Sequence, residues 1–275
     1  MKKGIDISEH QSSANINYAK LGASVDFVIL RSSYGNSSID KQFLNHARNF
    51  KKVGTPILGV YHFLYTDSVP DAVEEAKNCI RCVEQAGLPK STIIFADFEY
   101  DTVTQAKKRG INLGKKECTA HTKAFVDYCK KQGYPVGIYA NIDYHNRMYD
   151  QALLDKHMFW LADYNGKADF SCEIRQYSSK GRLPGYSYNL DMNYTEADKF
   201  SPKNIGTYSV AKKAILRSGA SIRGGKIVTL PKNAIVKCTG FSSVSKAGNK
   251  WLYVSTTISG KKYEGFVVAK KLVKG

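Results

Sequence analysis

No stretch of this chain is apolar for the roughly 18 residues that a membrane-spanning helix needs. The first residues, Met1-Lys2-Lys3-Gly4-Ile5-Asp6, have the basic start of a secretory signal but lack the apolar run that should follow it. Export by that route is therefore not expected. Cysteine is sparse: Cys79, Cys82, Cys118, Cys129, Cys172 and Cys238 are scattered over 275 residues. Such spacing is not the disulfide framework of a small secreted domain. Cys79 and Cys82 form a C-x-x-C inside a helix-like run, but a zinc site would need a second close pair. Reduced, packed thiols are expected, and no metal. The chain also lacks a phosphate-binding glycine loop, an H-E-x-x-H and a G-x-S-x-G. These absences leave P-loop nucleotide hydrolysis, zinc proteolysis and nucleophile-elbow hydrolysis without their usual signatures.

Acidic residues are nearly missing from one end. From Thr207 onward there are fourteen Lys and Arg against one acid, Glu264, a net charge of +13. The first 206 residues hold 27 basic and 23 acidic residues, a net of +4. Such a break in composition predicts a domain boundary. Pro and Gly punctuate Ser201-Pro-Lys-Asn-Ile-Gly206. The expected organisation is a first domain over 1–200, a linker over 201–206 and a second domain over 207–275. The whole chain is 43% hydrophobic and 12% aromatic, enough for a sizeable core.

The first 200 residues alternate strand-like and helix-like runs. Strands are predicted at Gly4–Ser8, Phe27–Ser33, Ile57–Phe63, Thr92–Glu99, Val136–Asn141, Met158–Tyr164, Cys172–Ser179 and Tyr188–Asn193. Helices are predicted at Asp40–Val53, Asp71–Ala86, Lys116–Gln132 and Tyr144–His157. Strand–helix alternation implies a parallel sheet with covered faces. Eight strands in about 195 residues predict an α/β fold, a small modified TIM-like barrel of eight strands with about five helices. A doubly wound open sheet is the alternative. The segment after residue 206 has short β-like runs between turn signals such as Gly224-Gly225, Pro231, Gly240 and Gly260, the pattern of a small all-β barrel.

Barrels carry their chemistry at the C-terminal ends of the strands. The fourth predicted strand, Thr92-Ile-Ile-Phe-Ala-Asp-Phe-Glu99, is apolar and ends in two acids two residues apart. Side chains alternate along a strand, so Asp97 and Glu99 are expected on one face with Ile93 and Phe95. Close carboxylates against an apolar wall have split pKa values, so one stays protonated while the other is ionised, as glycoside hydrolysis requires. A plain acidic loop is the competing explanation of this pair alone. The other strand ends bring Asp6, Arg31, Tyr61, Phe63, Tyr139, Asn141, Trp160, Asp163, Tyr164, Gln176, Tyr177, Asp191 and Asn193 toward the same mouth. Any one of the aromatics is more often a core residue than a ligand. Together the acids and rings make up the lining of a carbohydrate cleft.

These residues resemble glycoside hydrolase family 25, the lysozymes of phage endolysins and bacterial autolysins, over about residues 3–195. The resemblance rests on Gly4-Ile-Asp-Ile-Ser8, Phe27-Val-Ile-Leu-Arg31, Gly59-Val-Tyr-His-Phe63, the D-x-E of Asp97 and Glu99, and Gly137-Ile-Tyr-Ala-Asn141. It continues through Trp160-Leu-Ala, Arg175-Gln-Tyr177 and Pro184-Gly185 leading to Leu190-Asp-Met-Asn193. The last 69 residues resemble a bacterial Src-homology-3-like wall-binding domain through Leu230-Pro231, Trp251 and Gly265-Phe-Val267. One departure is Arg175, where the family often has Trp, at a position expected to face outward from the barrel.

The resemblance implies cleavage of the β-1,4 bond between N-acetylmuramic acid and N-acetylglucosamine in bacterial peptidoglycan, without metal or cofactor. Glu99 would be the general acid and later the base. Asp97 would either attack the anomeric carbon or orient the sugar's own 2-acetamido group, and the family favours the second. Asp6 and Asp191 would complete the catalytic set. Substrate would contact Tyr61, Phe63, Arg31, Tyr139, Asn141, Trp160, Gln176, Tyr177 and Asn193. Anionic cell-wall polymers are the expected partners of the basic tail, where Trp251, Tyr253 and Tyr263 could line a recognition groove. No stable membrane association and no nucleic-acid partner are expected. Synthesis in the cytoplasm and release to the wall through a phage holin are the expected route. Three other classes compete with this assignment, and one of them, a catalytically dead wall-binding module, is opposed by the presence of all four acids. A chitinase-like barrel would carry a longer D-x-x-D-x-D-x-E run, and Thr92 and Phe95 stand where its first two acids would be. A nucleic-acid-binding protein would explain the basic tail, but that tail shows no evident stacking platform.

Overall fold

Eight strands close on one another in the computed structural model of the chain, which describes every residue except Met1, residues 167–169, Ser171 and residues 196–198. The elements of the first unit, residues 2–195, run β1 (Lys2–Ile7), α1 (Tyr18–Ala23), β2 (Phe27–Tyr34), β3 (Ser38–Ile39), α2 (Phe43–Lys52), β4 (Ile57–Phe63), α3 (Val69–Gln85) and β5 (Ile93–Asp97). They continue with α4 (Tyr100–Lys108), α5 (Lys115–Lys131), β6 (Val136–Asn141), α6 (Ile142–Arg147), α7 (Gln151–Leu154), β7 (Met158–Ala162), β8 (Ile174–Leu183) and β9 (Tyr186–Thr195). Around the barrel the order is β1, β2, β4, β5, β6, β7, β8, β9, and β9 pairs back to β1.

Two expectations need correction. Seven α-helices appear among the described residues, not about five. Helix α1 starts where the Asn17 side chain accepts the Lys20 N–H at 3.1 Å. Helix α4 begins directly after the acid pair, and the run predicted over Tyr144–His157 divides into α6 and α7. The sheet is also not parallel throughout, because β9 runs antiparallel to both β8 and β1. Only Pro184 and Gly185 separate the paired residues Leu183 and Tyr186. A two-residue link makes a hairpin, whereas a parallel return needs a crossover of a dozen residues. Gly185 has φ +97°, and a Cβ there would meet the Asn17 carbonyl oxygen at 2.6 Å, so the turn requires glycine twice over.

Alternation along the strands sorts residues into two layers. Ile94, Ala96 and Phe98 belong to the outer core, with Cys79 and Val83 of α3 and Phe125 and Cys129 of α5. Burial pushes the Cys79 thiol up to about 12, so it packs as a neutral group. The opposite parity, Ile29, Ile93, Phe95, Met158 and Ile174, fills the barrel interior below the mouth and is fully buried or nearly so. Phe95 has room only because its neighbours on both sides are glycines. A Cβ on Gly59 would lie 2.9 Å from its ring, and one on Gly137 would lie 2.4 Å away.

Among the described residues the second unit holds eight strands: β10 (Lys199–Phe200), β11 (Gly206–Val210), β12 (Ala214–Arg217), β13 (Lys226–Leu230), β14 (Ile235–Val244), β15 (Lys250–Ile258), β16 (Lys261–Val268) and β17 (Leu272–Lys274). Val210, Leu216, Leu230, Val236, Leu252, Val254 and Val267 form its core. Residues 201–206, expected to be a linker, carry structure within this unit. The Asn204 amide donates to Gly240 O and to Ser242 Oγ, both at 3.1 Å. Trp251 and Tyr253 are buried, and Tyr253 packs edge-on against Phe266 with centroids 5.1 Å apart. Neither ring is an open stacking face, whereas Tyr263 is half-buried.

The glycine flanks of Phe95 give a test of the interior packing. Gly137→Ala should lower stability by about 1–3 kcal/mol through overpacking, and Phe95→Leu in the same chain should recover part of the loss. Thermal melts of the two variants decide it. A Gly137→Ala protein that melts with wild type would show that the ring has other room.

Candidate active site

Strand β5 ends at Asp97, whose register partners are Phe63 on β4 and Tyr139 on β6. Glu99 does not extend that strand, contrary to the expectation from sequence. It sits one turn on, as the N-cap of α4. Its backbone N–H donates to Thr102 Oγ1 at 3.2 Å, and the Thr102 hydroxyl donates to Leu64 O at 2.5 Å. The outward Phe98 packs into the outer core between the two acids. The turn therefore swings Glu99 back to the mouth beside Asp97, and the two carboxyls lie within hydrogen-bonding reach of each other.

Asp6 and Asp191 are direct register partners on β1 and β9. The expectation that the last strand delivers Asp191 from its C-terminal end is corrected by the direction of β9. Asp191 reaches the mouth from within an antiparallel strand, and Asn193 lies deeper, level with Gly4 and Gln176. Asn193 is wholly buried and lies outside the cleft lining. It donates its amide to Asp6 Oδ2 at 2.7 Å. Gln176 donates to the same oxygen at 2.9 Å. The orientation of both amides is fixed from behind. The indole N–H of Trp160 donates to Asn193 Oδ1 at 2.8 Å. The hydroxyls of Tyr139 and Tyr164 donate to Gln176 Oε1 at 3.2 and 2.7 Å. An indole N–H can only donate, so the Asn193 NH2 has to face the carboxylate.

Burial governs the acid–base state of the site. Desolvation, followed by the charge of Asp191, pushes Asp6 well above the usual carboxylate range, and the two amides pull it partly back. Desolvation and the adjoining Glu99 push Asp97 well up too. Desolvation raises Glu99, while hydrogen bonds from Asp97 and Tyr139 restrain it. Desolvation moves Asp191 to about 6. Asp97 and Glu99 thus titrate as one interacting acid pair, both shifted up by burial, and Asp97 Oδ1 is buried without a hydrogen-bond partner. Arg31 is a cation that lines the same cavity. It draws Asp97 down slightly, but its own partners are Asp40 at 2.7 Å and Glu9 at 2.8 Å.

The four acids open into a cavity of about 320 Å³. Arg31, Tyr61, Phe63, Tyr139, Trp160 and Gln176 line it, as expected from sequence. Trp160 forms the floor, with Tyr139, Phe95 and Tyr61 edge-on around it at 4.8, 5.2 and 5.9 Å. Two other nominated residues lie elsewhere. The Asn141 side chain caps α6 by accepting the Tyr144 N–H at 2.9 Å. Tyr177 has the parity opposite to Gln176 and packs against Tyr194 at 5.6 Å. Two lining residues were not selected as substrate contacts, His10 and Tyr164. Tyr164 stands at a predicted strand end, and His10 follows Asp6 in the loop after β1, so a search of strand ends together with their loops would find both. Among the described residues, no group of three or more His, Cys, Asp or Glu is arranged to hold a metal ion.

A profile described as Glycosyl hydrolases family 25 matches residues 5–186. Among solved structures, the chain is similar to the modular autolysin LytC from Streptococcus pneumoniae, solved in complex with a synthetic peptidoglycan ligand. The identity is 26% and the TM-score 0.61, covering 70% of this chain and 46% of that one. This chain thus spans under half the length of LytC. It is similar to the catalytic domain of endolysin ply40 from bacteriophage P40 of Listeria monocytogenes, at 28% identity and TM-score 0.58, over 71% of this chain and 93% of that one. The spore cortex lytic enzyme SleM from Clostridium perfringens shares the fold at 16% identity and TM-score 0.57, over 97% of this chain and 98% of its own. Comparison with curated proteins gives no sequence match.

The raised Asp191 has a consequence for stability. Native Asp191 titrates near 6, against about 3.9 in an unfolded chain. The native state therefore holds this proton more tightly, and stability falls as pH rises from about 4 to about 6. Asp191→Asn removes that loss. It should raise stability by about 1–3 kcal/mol at pH 7, and the gain should vanish by pH 4. Denaturant melts at the two pH values check this, and a gain that is equal at both would sink it.

Proposed function

The chain belongs to the family 25 glycosyl hydrolases, and from that premise we propose that it is a muramidase acting on bacterial peptidoglycan, cutting the β-1,4 bond between N-acetylmuramic acid and N-acetylglucosamine. The observation that carries this reading is the Asp97–Glu99 pair, two carboxyls pushed up by burial in a cavity that Asp6 and Asp191 also line. The resemblance to the family favours Asp97 as the orienter of the sugar's own 2-acetamido group over direct attack on the anomeric carbon. The 2-acetamido N–H of a bound sugar donates to Asp97, which opposes its upward shift, favours its ionised form and moves the proton to Glu99. Glu99 then protonates the glycosidic oxygen as the bond to the anomeric carbon breaks. The acetamido carbonyl oxygen closes on that carbon, and Asp97 stabilises the charge growing on the ring it forms. Water opens the ring, with Glu99 now accepting the proton. Asp6 and Asp191 hold the sugar and keep the pair's proton in place.

The second unit fits a wall-docking role. The segment 207–275 carries a net +13, which attracts anionic wall polymers over about 8 Å at physiological ionic strength. We assign catalysis to residues 1–200 and docking to the Src-homology-3-like segment 207–275. The burial of Trp251 and Tyr253 leaves charge as the stronger argument for docking.

Glu99→Gln should fold normally and lose about 10²–10⁴-fold in rate, because an amide cannot donate the proton to the leaving oxygen. Mass spectrometry of fragments from purified peptidoglycan reads the bond. New reducing ends at muramic acid are expected, and reducing ends at glucosamine or freed peptides would refute the assignment. The same inactive full chain reports docking without cutting. Its pull-down on walls should weaken at high salt and on walls stripped of anionic polymers. Stronger retention on DNA than on walls would instead favour nucleic acid as the tail's partner.

A further inference from the structure

Arg175 is a cation on the outer side of a barrel strand, yet it is only 2% exposed. Its Nε donates to Asp163 O at 2.9 Å and one terminal nitrogen donates to Gly166 O at 2.9 Å. The same nitrogen is 3.4 Å from the Tyr194 hydroxyl, and the other is 3.6 Å from Asp163 Oδ1. Both carbonyls belong to the turn that leaves β7. Within that turn, Asp163 Oδ1 accepts the Asn165 N–H at 3.0 Å. One planar guanidinium thus clamps the two ends of residues 163–166 from outside. Tyr164, between those ends, reaches the other way. It lines the cleft, is 52% exposed and donates its hydroxyl to Gln176 Oε1 at 2.7 Å.

We propose that Arg175 is a positioning residue that fixes Tyr164 as a rigid wall of the sugar site, where its ring grips the N-acetylated sugar held beside Asp6 and Gln176. The proposal rests on the assignment of the chain as a glycan-cleaving enzyme. A buried guanidinium is costly unless its donors are matched, and the five-donor fork of Arg serves carbonyls in two directions at once. Lysine has the charge without the fork. Tyr164 loses little entropy on binding because its ring is already held at both ends, by the clamped turn and by Gln176. An aromatic contact of this kind is worth about three- to tenfold in affinity.

The test uses the full chain and a soluble peptidoglycan glycan, with new reducing ends as the readout. Arg175→Lys should raise KM about three- to tenfold with kcat nearly unchanged, and Tyr164→Ala should raise KM at least as much while also lowering kcat, because it frees the Gln176 amide beside Asp6. The double variant should be no worse than Tyr164→Ala alone, because both changes remove one contact. Amide hydrogen exchange over residues 163–166 should speed up in Arg175→Lys. If Arg175→Lys does not fold, Arg175→Met with Asp163→Asn removes charge and countercharge together and carries the same expectation. Unchanged KM beside a lowered melting temperature would make Arg175 merely structural. Multiplying effects in the double variant, or unchanged exchange in an active enzyme, would overturn the clamp. A wild-type chain that releases no reducing ends would instead overturn the muramidase reading and the sugar contact with it, while exchange would still report on the clamp.

Discussion

Four carboxyl groups share one buried mouth, and their mutual repulsion in a poorly solvated space is the constraint on which the rest of the site depends. Each of Asp6, Asp97, Glu99 and Asp191 is pushed up, first of all by burial. Arg31 does not neutralise the group, because Asp40 and Glu9 already engage it. The site instead meets the constraint with neutral dipoles. Asn193 and Gln176 aim two amide N–H groups at Asp6 Oδ2, and Trp160, Tyr139 and Tyr164 prevent either amide from turning over. Oriented dipoles offset part of the cost of ionising Asp6 without a counter-ion that would also quench its neighbours.

The barrel supplies this arrangement by placing acids above a dry floor. Trp160, Phe95 and the aliphatic layer beneath exclude water from below, so the carboxyls face an apolar wall on one side and the cleft on the other. Gly59 and Gly137 make that floor possible, since a side chain at either would occupy the space of Phe95. The floor and the raised acids are linked, because the packing that fills the interior is also what desolvates the site.

The antiparallel β9 is equally bound to function. A parallel eighth strand would place Asp191 and Asn193 in sequence toward the mouth. The reversed strand sets Asp191 across from Asp6 and sinks Asn193 below it, where it bonds Asp6 from within the wall. Closing the sheet with a hairpin thus gives Asp6 both a charged neighbour and a buried donor. The two-residue Pro184–Gly185 turn is the cause.

The sequence by itself determined the features that local alternation sets. Strand parity put Asp97 inward with Ile93 and Phe95, and the strand ends gathered Asp6, Tyr61, Phe63, Tyr139, Trp160 and Gln176 toward the cleft they line. Side-chain alternation is a property of neighbouring residues, so it is legible without the fold. Tertiary structure decided whatever depends on pairing between distant segments. It made Glu99 a helix cap and not a strand residue, reversed β9, turned Tyr177 outward and used Asn141 as a cap. It also buried Trp251 and Tyr253 and set Arg175 against the turn that carries Tyr164. These outcomes depend on which carbonyl, ring or amide arrives from another part of the chain. No periodicity encodes that arrival, because hydrogen bonds and desolvation act through space and not along the sequence.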